Sequence, residues 1–274
     1  MKITTIPLAL LCSLLLIYSV CAFKVTLKSA DNIAAQIVTE QPEGPAIPYN
    51  EAKAKEYAYY SMITHCTDSQ ITNWNCKLCK SNILTDVALI QNSTYDIAGY
   101  VGYSKTHNQV IVSWRGTVDT KNWEVDFRYK LTKYTPRSGV CTDCQIHTGI
   151  LQAYRSVENQ VSTHVKSLLA KYTTASITST GHSLGGGLSL LTNLELQIAF
   201  PNKISYTYNY GCLRIGNGNF VNFLKSKITS IYRVVHNKDP VPHVPPFDFG
   251  YIHPANEIFY NEDMSSFTVC NDSG

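Results

Sequence analysis

The run Gly181-His182-Ser183-Leu184-Gly185 stands between a β-rich segment, Ser176 to Thr180, and a long apolar stretch. That order constrains the fold more than any other feature of the chain. A serine with glycines two residues before and two after it suits a sharp strand-to-helix turn, and such a turn implies a layered α/β arrangement. A serine hydroxyl is a poor nucleophile, so the turn serves chemistry only where a histidine can reach it. The strand before and the helix after carry the reading. His182 supports the turn and is expected to point away from the hydroxyl.

On both sides the hydrophobic pattern alternates between helix and strand periods. Asn50 opens a helix over Glu51 to Cys66, with Ala54, Tyr57, Ala58 and Ser61 at helical spacing. Asp96 to Ser104 and Gln109 to Trp114 read as strands joined by Lys105-Thr106-His107-Asn108. Between Tyr154 and Tyr172, Val157, Val161, Val165, Leu168 and Leu169 share one helical face. After the turn come a buried helix from Leu184 to Ala199, a strand over Lys203 to Tyr210, a helix over Gly218 to Lys227 and a strand over Ser230 to Val235. Such alternation predicts a mainly parallel central sheet with helices on both faces.

With 274 residues and 44% hydrophobic content, the chain can build one α/β domain around a sizeable core. Lys2, the apolar run from Ile3 to Val20 and small residues before Ala22-Phe23 read as a signal peptide over residues 1–22. A membrane anchor is the alternative, weighed against the interruptions Thr4, Thr5, Pro7 and Ser13. Residues 23–48, with Gln41-Pro42-Glu43-Gly44-Pro45 and Pro48, read as an exposed arm or a propeptide, which leaves the domain to residues 49–274. A secreted or lumenal protein is expected. The formal net charge of +3 without a dense Lys/Arg run argues against a nucleic-acid partner.

Signal cleavage would remove Cys12 and Cys21 and leave Cys66, Cys76, Cys79, Cys141, Cys144, Cys212 and Cys270. In an oxidising compartment this suggests three bridges and one thiol. Cys76/Cys79 and Cys141/Cys144 also have the gaps of a four-cysteine zinc site, but the pairs lie too far apart for a zinc ribbon, so bridges are the preferred reading. Asn92-Ser93-Thr94 and Asn271-Asp272-Ser273 fit the N-glycosylation pattern at Asn92 and Asn271.

In an open α/β sheet, ligands sit beyond the carboxyl ends of the strands, and both Ser183 and Asp239 follow strand-like runs there. Asp239 lies in His236-Asn237-Lys238-Asp239-Pro240, where the proline favours an extended aspartate that projects its carboxylate. A plain turn aspartate is the alternative. Chain order of serine, acid and histidine leaves His243 and His253 as bases out of the eight histidines. His243 sits among Pro242, Pro245 and Pro246 and reads as a loop former, so His253 is preferred.

Val112-Ser113-Trp114-Arg115-Gly116-Thr117, His147-Thr148-Gly149-Ile150, Gly181 to Gly186, Arg233 to Pro246, and Gly250-Tyr251-Ile252-His253 with Glu257-Ile258-Phe259-Tyr260 together resemble the class 3 lipases of the α/β-hydrolase superfamily. The likeness spans Tyr49 to Cys270. It implies a triad of Ser183, Asp239 and His253, and an oxyanion hole from the backbone N–H groups of Leu184 and Thr117. Asn122-Trp123-Glu124-Val125-Asp126-Phe127 resembles the family's lid, with Trp123 and Phe127 on one helical face and Val125 off it. A surface helix held by Trp123 is the plainer alternative. The family's bridges suggest Cys66 with Cys270, Cys76 with Cys79 and Cys141 with Cys144, leaving Cys212 in or beside a buried strand. One departure is the short span between Asp239 and His253. Val241, Val244, Phe247 and Phe249 supply apolar side chains there and are expected to line part of an acyl groove.

The resemblance implies a secreted, monomeric serine carboxylester hydrolase that acts on a lipid ester at an oil–water or membrane interface. Its chemistry, acylation of serine followed by hydrolysis, needs no metal and no cofactor. A triacylglycerol lipase is the leading expectation, with a phospholipase A1 or feruloyl-type esterase as alternatives that fold and triad do not separate. A catalytically inactive lipid-binding homologue is the alternative of a different class.

Overall fold

The computed structural model describes residues 47–80, 83–116 and 129–270, all in one compact unit. Residues 1–22, most of the 23–48 arm, Thr117, Trp123, Phe127 and Asn271 lie outside the described residues. Its elements run α1 (Glu51–Ile63), α2 (Asp68–Thr72), β1 (Thr85–Asn92), β2 (Ile97–Ser104), β3 (Gln109–Trp114), β4 (Leu131–Lys133) and β5 (Gln145–His147). There follow α3 (Thr148–Lys171), β6 (Ser176–Gly181), α4 (Leu184–Ala199), β7 (Thr207–Tyr210), α5 (Gly218–Lys227), β8 (Ile231–His236), β9 (Glu257–Tyr260) and β10 (Phe267–Cys270).

Two four-stranded ladders, β1-β2-β3-β6 and β7-β8-β9-β10 in spatial order, meet between β6 and β7. Thr178 and Thr180 on β6 donate their hydroxyls to the Tyr206 and Tyr208 carbonyls at 3.1 and 2.8 Å, so side chains do part of the joining. The inner pairs β3/β6, β7/β8 and β8/β9 are parallel. The outer pairs β1/β2, β2/β3 and β9/β10 are antiparallel, because short connections return the chain directly where no crossover helix intervenes. β4 and β5 form a separate two-stranded ribbon.

Both faces of the sheet are covered, as the alternation predicts. On one, Val110, Val112 and Trp114 of β3 meet Val157, Val161 and Val165 of α3 and the apolar residues of α4. α4 is buried nearly all round, from Leu184 to Leu196, so its sequence reads as apolar rather than amphipathic. On the other, Ile111, Tyr100, Tyr206, Tyr208 and Tyr232 form a tyrosine-rich layer with Tyr57 and Tyr60 of α1. Buried tyrosines need partners for their hydroxyls. Tyr100 donates to the Tyr60 carbonyl at 2.6 Å, Tyr210 donates to the Ala54 carbonyl, and Tyr57 bonds to Gln109. These bonds hold α1 to the sheet at fixed points.

The expected pairings of Cys76 with Cys79 and of Cys141 with Cys144 are present as disulfides, which removes the zinc alternative for these thiols. The expected Cys66–Cys270 bridge is corrected. Cys66 is a free, half-buried thiol, while Cys270 is engaged in another disulfide. Cys212 is a buried thiol directly after β7, and burial pushes its pKa up to about 12. It lies against α4: a Cβ on Gly186 would come within 3.0 Å of the Cys212 Cβ. Asn92 accepts from the Thr94 N–H at 2.9 Å and opens a short turn between β1 and β2.

Candidate active site

β6 ends at Gly181, and α4 begins at Leu184, so Ser183 sits on the connection between them. Its backbone is held at φ 56° and ψ −123°, a conformation that costs a non-glycine residue about 1–3 kcal/mol. The surrounding glycines explain how the turn fits. A Cβ on Gly181 would lie 2.2 Å from the Gly185 carbonyl oxygen, and one on Gly185 would lie 2.4 Å from the Trp114 carbonyl oxygen. No larger residue fits at either position without moving backbone.

Several bonds fix the elbow to its neighbours. The Ser183 N–H donates to the Tyr210 carbonyl at 2.9 Å, and the Ser183 carbonyl accepts from Gly186 at 2.9 Å. Beneath, the buried Asn193 accepts from the Ser179 N–H at 2.8 Å and donates to the Ser179 carbonyl at 3.0 Å and to Thr207 Oγ1 at 2.8 Å. The Trp114 indole donates to Thr192 at 2.9 Å. α4 is thereby bolted to β6, β7 and β3. Its first residue, Leu184, follows the serine, where a helix leaves N–H groups without intrahelical acceptors and the helix dipole favours negative charge. Gly116 closes the other side: a Cβ there would stand 3.4 Å from the Ser183 Cβ.

Asp239 follows β8 through Asn237, which takes a left-handed conformation at φ 45°. One carboxylate oxygen accepts from the Val241 N–H at 2.9 Å. The other faces Gly211, immediately after β7, where a Cβ would come within 2.6 Å of Asp239 Oδ2 and 3.3 Å of His182 Nε2. Gly211 has φ +48°, so backbone conformation and lack of room both call for glycine. The nucleophile candidate and the acid candidate therefore stand at the carboxyl ends of β6 and β8, on either side of β7, at one edge of the sheet as the shared-edge argument anticipates.

His253 is not where chain order puts it. The ring is buried, and its Nε2–H donates to the Pro242 carbonyl at 2.7 Å while Nδ1 has no hydrogen-bond partner. Burial and the nearby Arg233 and Arg214 guanidinium groups hold its pKa well below the usual imidazole value, so it is neutral. Its expected role as the base is corrected: neither nitrogen meets Ser183 or Asp239. The reason is tertiary. The connection from Gly250 to Asn256 is tied down by Ile252 N–H to the Gly216 carbonyl at 3.0 Å, by Arg233 Nε to the Pro254 carbonyl at 2.7 Å, and by Asn256 N–H to the Ile231 carbonyl at 2.7 Å. These anchors turn the ring beneath the acid loop. Among the described residues, no imidazole nitrogen is hydrogen-bonded to the Ser183 hydroxyl or the Asp239 carboxylate.

The histidines that do approach this edge are His182 and His65. Desolvation lowers the His182 pKa, the Asp239 carboxylate opposes that shift, and His65 adds to it. Burial and Arg115 lower His65 in turn. Of the expected groove residues, Val241 and Val244 pack against the main core, while Phe247 and Phe249 are 57% and 56% exposed. Phe249 meets the ring of Tyr129 edge-on at 5.7 Å. Arg214 and Gly211 carry no signature in the sequence that singles them out, although Gly211 follows a strand-like run at the site edge.

Residues 111–249, which include the elbow and the acid loop, match the family described as lipase (class 3). The chain belongs to the class 3 lipase family. A lipase from Rhizopus niveus is 29% identical over 237 residues, 83% of this chain and 59% of that protein. Secreted mono- and diacylglycerol lipase 1 from Fusarium solani is 31% identical over 186 residues, 68% of this chain and 54% of that protein. The class 3 lipase chain thus spans less than two thirds of the length of these relatives. A solved triacylglycerol lipase, described as having a serine protease triad as its catalytic centre, superposes with a TM-score of 0.73 at 27% identity, over 81% of this chain and 85% of that one. The fold is that of the α/β-hydrolases.

Proposed function

We propose that this class 3 lipase is a secreted serine carboxylester hydrolase of lipid esters, with acylglycerols as its substrates. The observation that carries this reading is the strained elbow at Ser183, which two glycines without room for a Cβ make possible and which faces Asp239 across Gly211. Strain of this kind persists where the fold over-determines it, and it clusters at functional sites. In the proposed reaction Ser183 attacks the ester carbonyl, an imidazole oriented by Asp239 takes the serine proton, and water then hydrolyses the acyl-enzyme. The Leu184 N–H, with that of Thr117, would hold the oxyanion, each such donor contributing about 3 kcal/mol in the transition state. The kinship to mono- and diacylglycerol and triacylglycerol lipases supports the substrate class. Trp123 and Phe127 as a lid face, residues 1–22 as a signal peptide and glycans on Asn92 and Asn271 belong to the same proposal. Among the described residues, no helix is long and apolar enough to cross a membrane.

A second reading, a lipid-binding homologue without catalysis, is favoured by one observation: among the described residues, no imidazole is hydrogen-bonded to Ser183. Labelling with a fluorophosphonate decides between the two. An adduct on Ser183, lost in Ser183→Ala, supports the hydrolase; absence of adduct on folded protein supports the binder. Rates on triolein emulsion, phosphatidylcholine vesicles and methyl ferulate, compared side by side, then separate lipase from phospholipase and feruloyl esterase.

A further inference from the structure

The segment from Asp239 to Pro246 carries the acid and contains Pro240, Pro242, Pro245 and Pro246, which bring carbonyls but no N–H groups. Its internal bonds are few: Val241 N–H to Asp239 Oδ1, His243 N–H to the Pro240 carbonyl at 3.0 Å, and Val244 N–H to the Val241 carbonyl at 3.1 Å. Four further carbonyls, those of Pro242, His243, Val244 and Pro245, find donors on other elements. Arg214 donates from Nη1 to the His243 and Pro245 carbonyls at 2.8 and 3.1 Å, and from its backbone N–H to the Val244 carbonyl at 2.9 Å. His253 donates to the Pro242 carbonyl. Residues 214 and 253 lie on segments joined by the Gly216–Ile252 bridge, so one rigid support holds the whole loop.

Within this support, the bond from His253 is the one nearest to Asp239 in the chain. It is buried, and it is charge-neutral on both sides: a neutral imidazole has a single N–H, and a carbonyl can only accept, so the proton is on Nε2. We propose that His253 is a positioning residue for Asp239: its Nε2–H, given to the Pro242 carbonyl, fixes the turn that aims the Asp239 carboxylate at the Gly211–His182 edge. This rests on the reading of Asp239 as the acid of a serine hydrolase. The ring touches neither substrate nor the reacting atoms, and its effect reaches the chemistry only through the loop.

The test compares His253→Gln with His253→Asn. A glutamine amide nitrogen reaches the place of Nε2, whereas an asparagine amide reaches only that of Nδ1. Hydrolysis of a soluble ester, normalised to folded protein, and amide hydrogen exchange over residues 239–246 are the two readouts. H253N is expected to lower kcat by roughly 10- to 100-fold, with KM within about twofold of the parent, because a misaimed catalytic group costs rate rather than binding. It is also expected to speed exchange at Val241 and Val244. H253Q is expected to recover most of both. Equal kcat and equal exchange in the two variants would overturn the proposal, as would a loss carried by KM alone. If the parent protein neither hydrolyses esters nor takes a phosphonate, the hydrolase reading fails by itself. The exchange comparison then still decides whether His253 holds the loop.

Discussion

Gly211 shows how a single residue can set a site without taking part in it. Its left-handed backbone and the 2.6 Å approach of Asp239 Oδ2 leave no room for a methyl group. Gly211→Ala is therefore expected to displace the carboxylate and to destabilise the fold by about 1–3 kcal/mol, combining overpacking with an unfavourable φ. Urea denaturation checks the second effect and phosphonate labelling rate the first; unchanged labelling would show that the acid has not moved. Ser183 and Asp239 were legible because each sits in a local pattern, glycines around a serine or a strand followed by Asp-Pro. His253 was not, because chain order states which residues come later, whereas the side from which a ring approaches depends on the bonds that tether its loop.

At the scale of elements, α3 begins at an unusual cap. The His147 side chain accepts through Nδ1 from the Gly149 and Ile150 N–H groups at 3.1 and 3.4 Å, which requires a neutral ring, and burial pushes its pKa down to about 4. In the unfolded chain a histidine titrates near 6.5, so between about pH 6.5 and 4 only the unfolded state takes the proton. Stability from this group is complete above that window and falls as pH drops through it; His253, also depressed, acts in the same direction. His147→Ala should cost about 1 kcal/mol at pH 7, while His147→Asn should keep the cap and flatten the acid slope. Thermal melts from pH 7 to 4 measure both, and an unflattened slope in the asparagine variant would count against His147. Asn193 plays the matching role for α4. Its loss in Asn193→Ala removes the acceptor of the buried Ser179 N–H on β6, while Thr207 still donates to the Ser179 carbonyl at 3.0 Å, and is expected to cost about 2 kcal/mol, read by denaturation. The alternation of β2, β3, β6 and β8 and the long apolar faces of α3 and α4 announced these elements in the sequence. β1, β9 and β10 passed unnoticed as strands, since β1 and β10 lie at sheet edges with exposed residues, and β9 and β10 are only four residues long.

For the molecule as a whole, stability comes from a sheet covered on both faces, and between α3 and α4 a buried carboxylate depends on its partners. Glu195, 2% exposed, meets Arg155 at 2.9 Å and accepts from the Tyr134 hydroxyl at 3.0 Å. Desolvation raises its pKa, with Arg155 opposing, so removal of the arginine strands a carboxylate in the core. Arg155→Met is expected to cost about 3 kcal/mol, measured by the denaturation midpoint. Cys66→Ser, by contrast, removes no bridge and should change stability by no more than about 0.5 kcal/mol. A large drop in its melting temperature would restore a covalent role for Cys66.

The sequence by itself determined the class of fold, the family and the places of Ser183 and Asp239 at the sheet edge, since the elbow and the strand that ends before Asp-Pro are written in neighbouring residues. Tertiary structure decided that Cys66 stays a free thiol and where His253 points. Both depend on contacts between segments far apart in the chain, here the bonds from Gly216, Arg214 and Arg233 to the 240–256 region, whose distances no local pattern encodes.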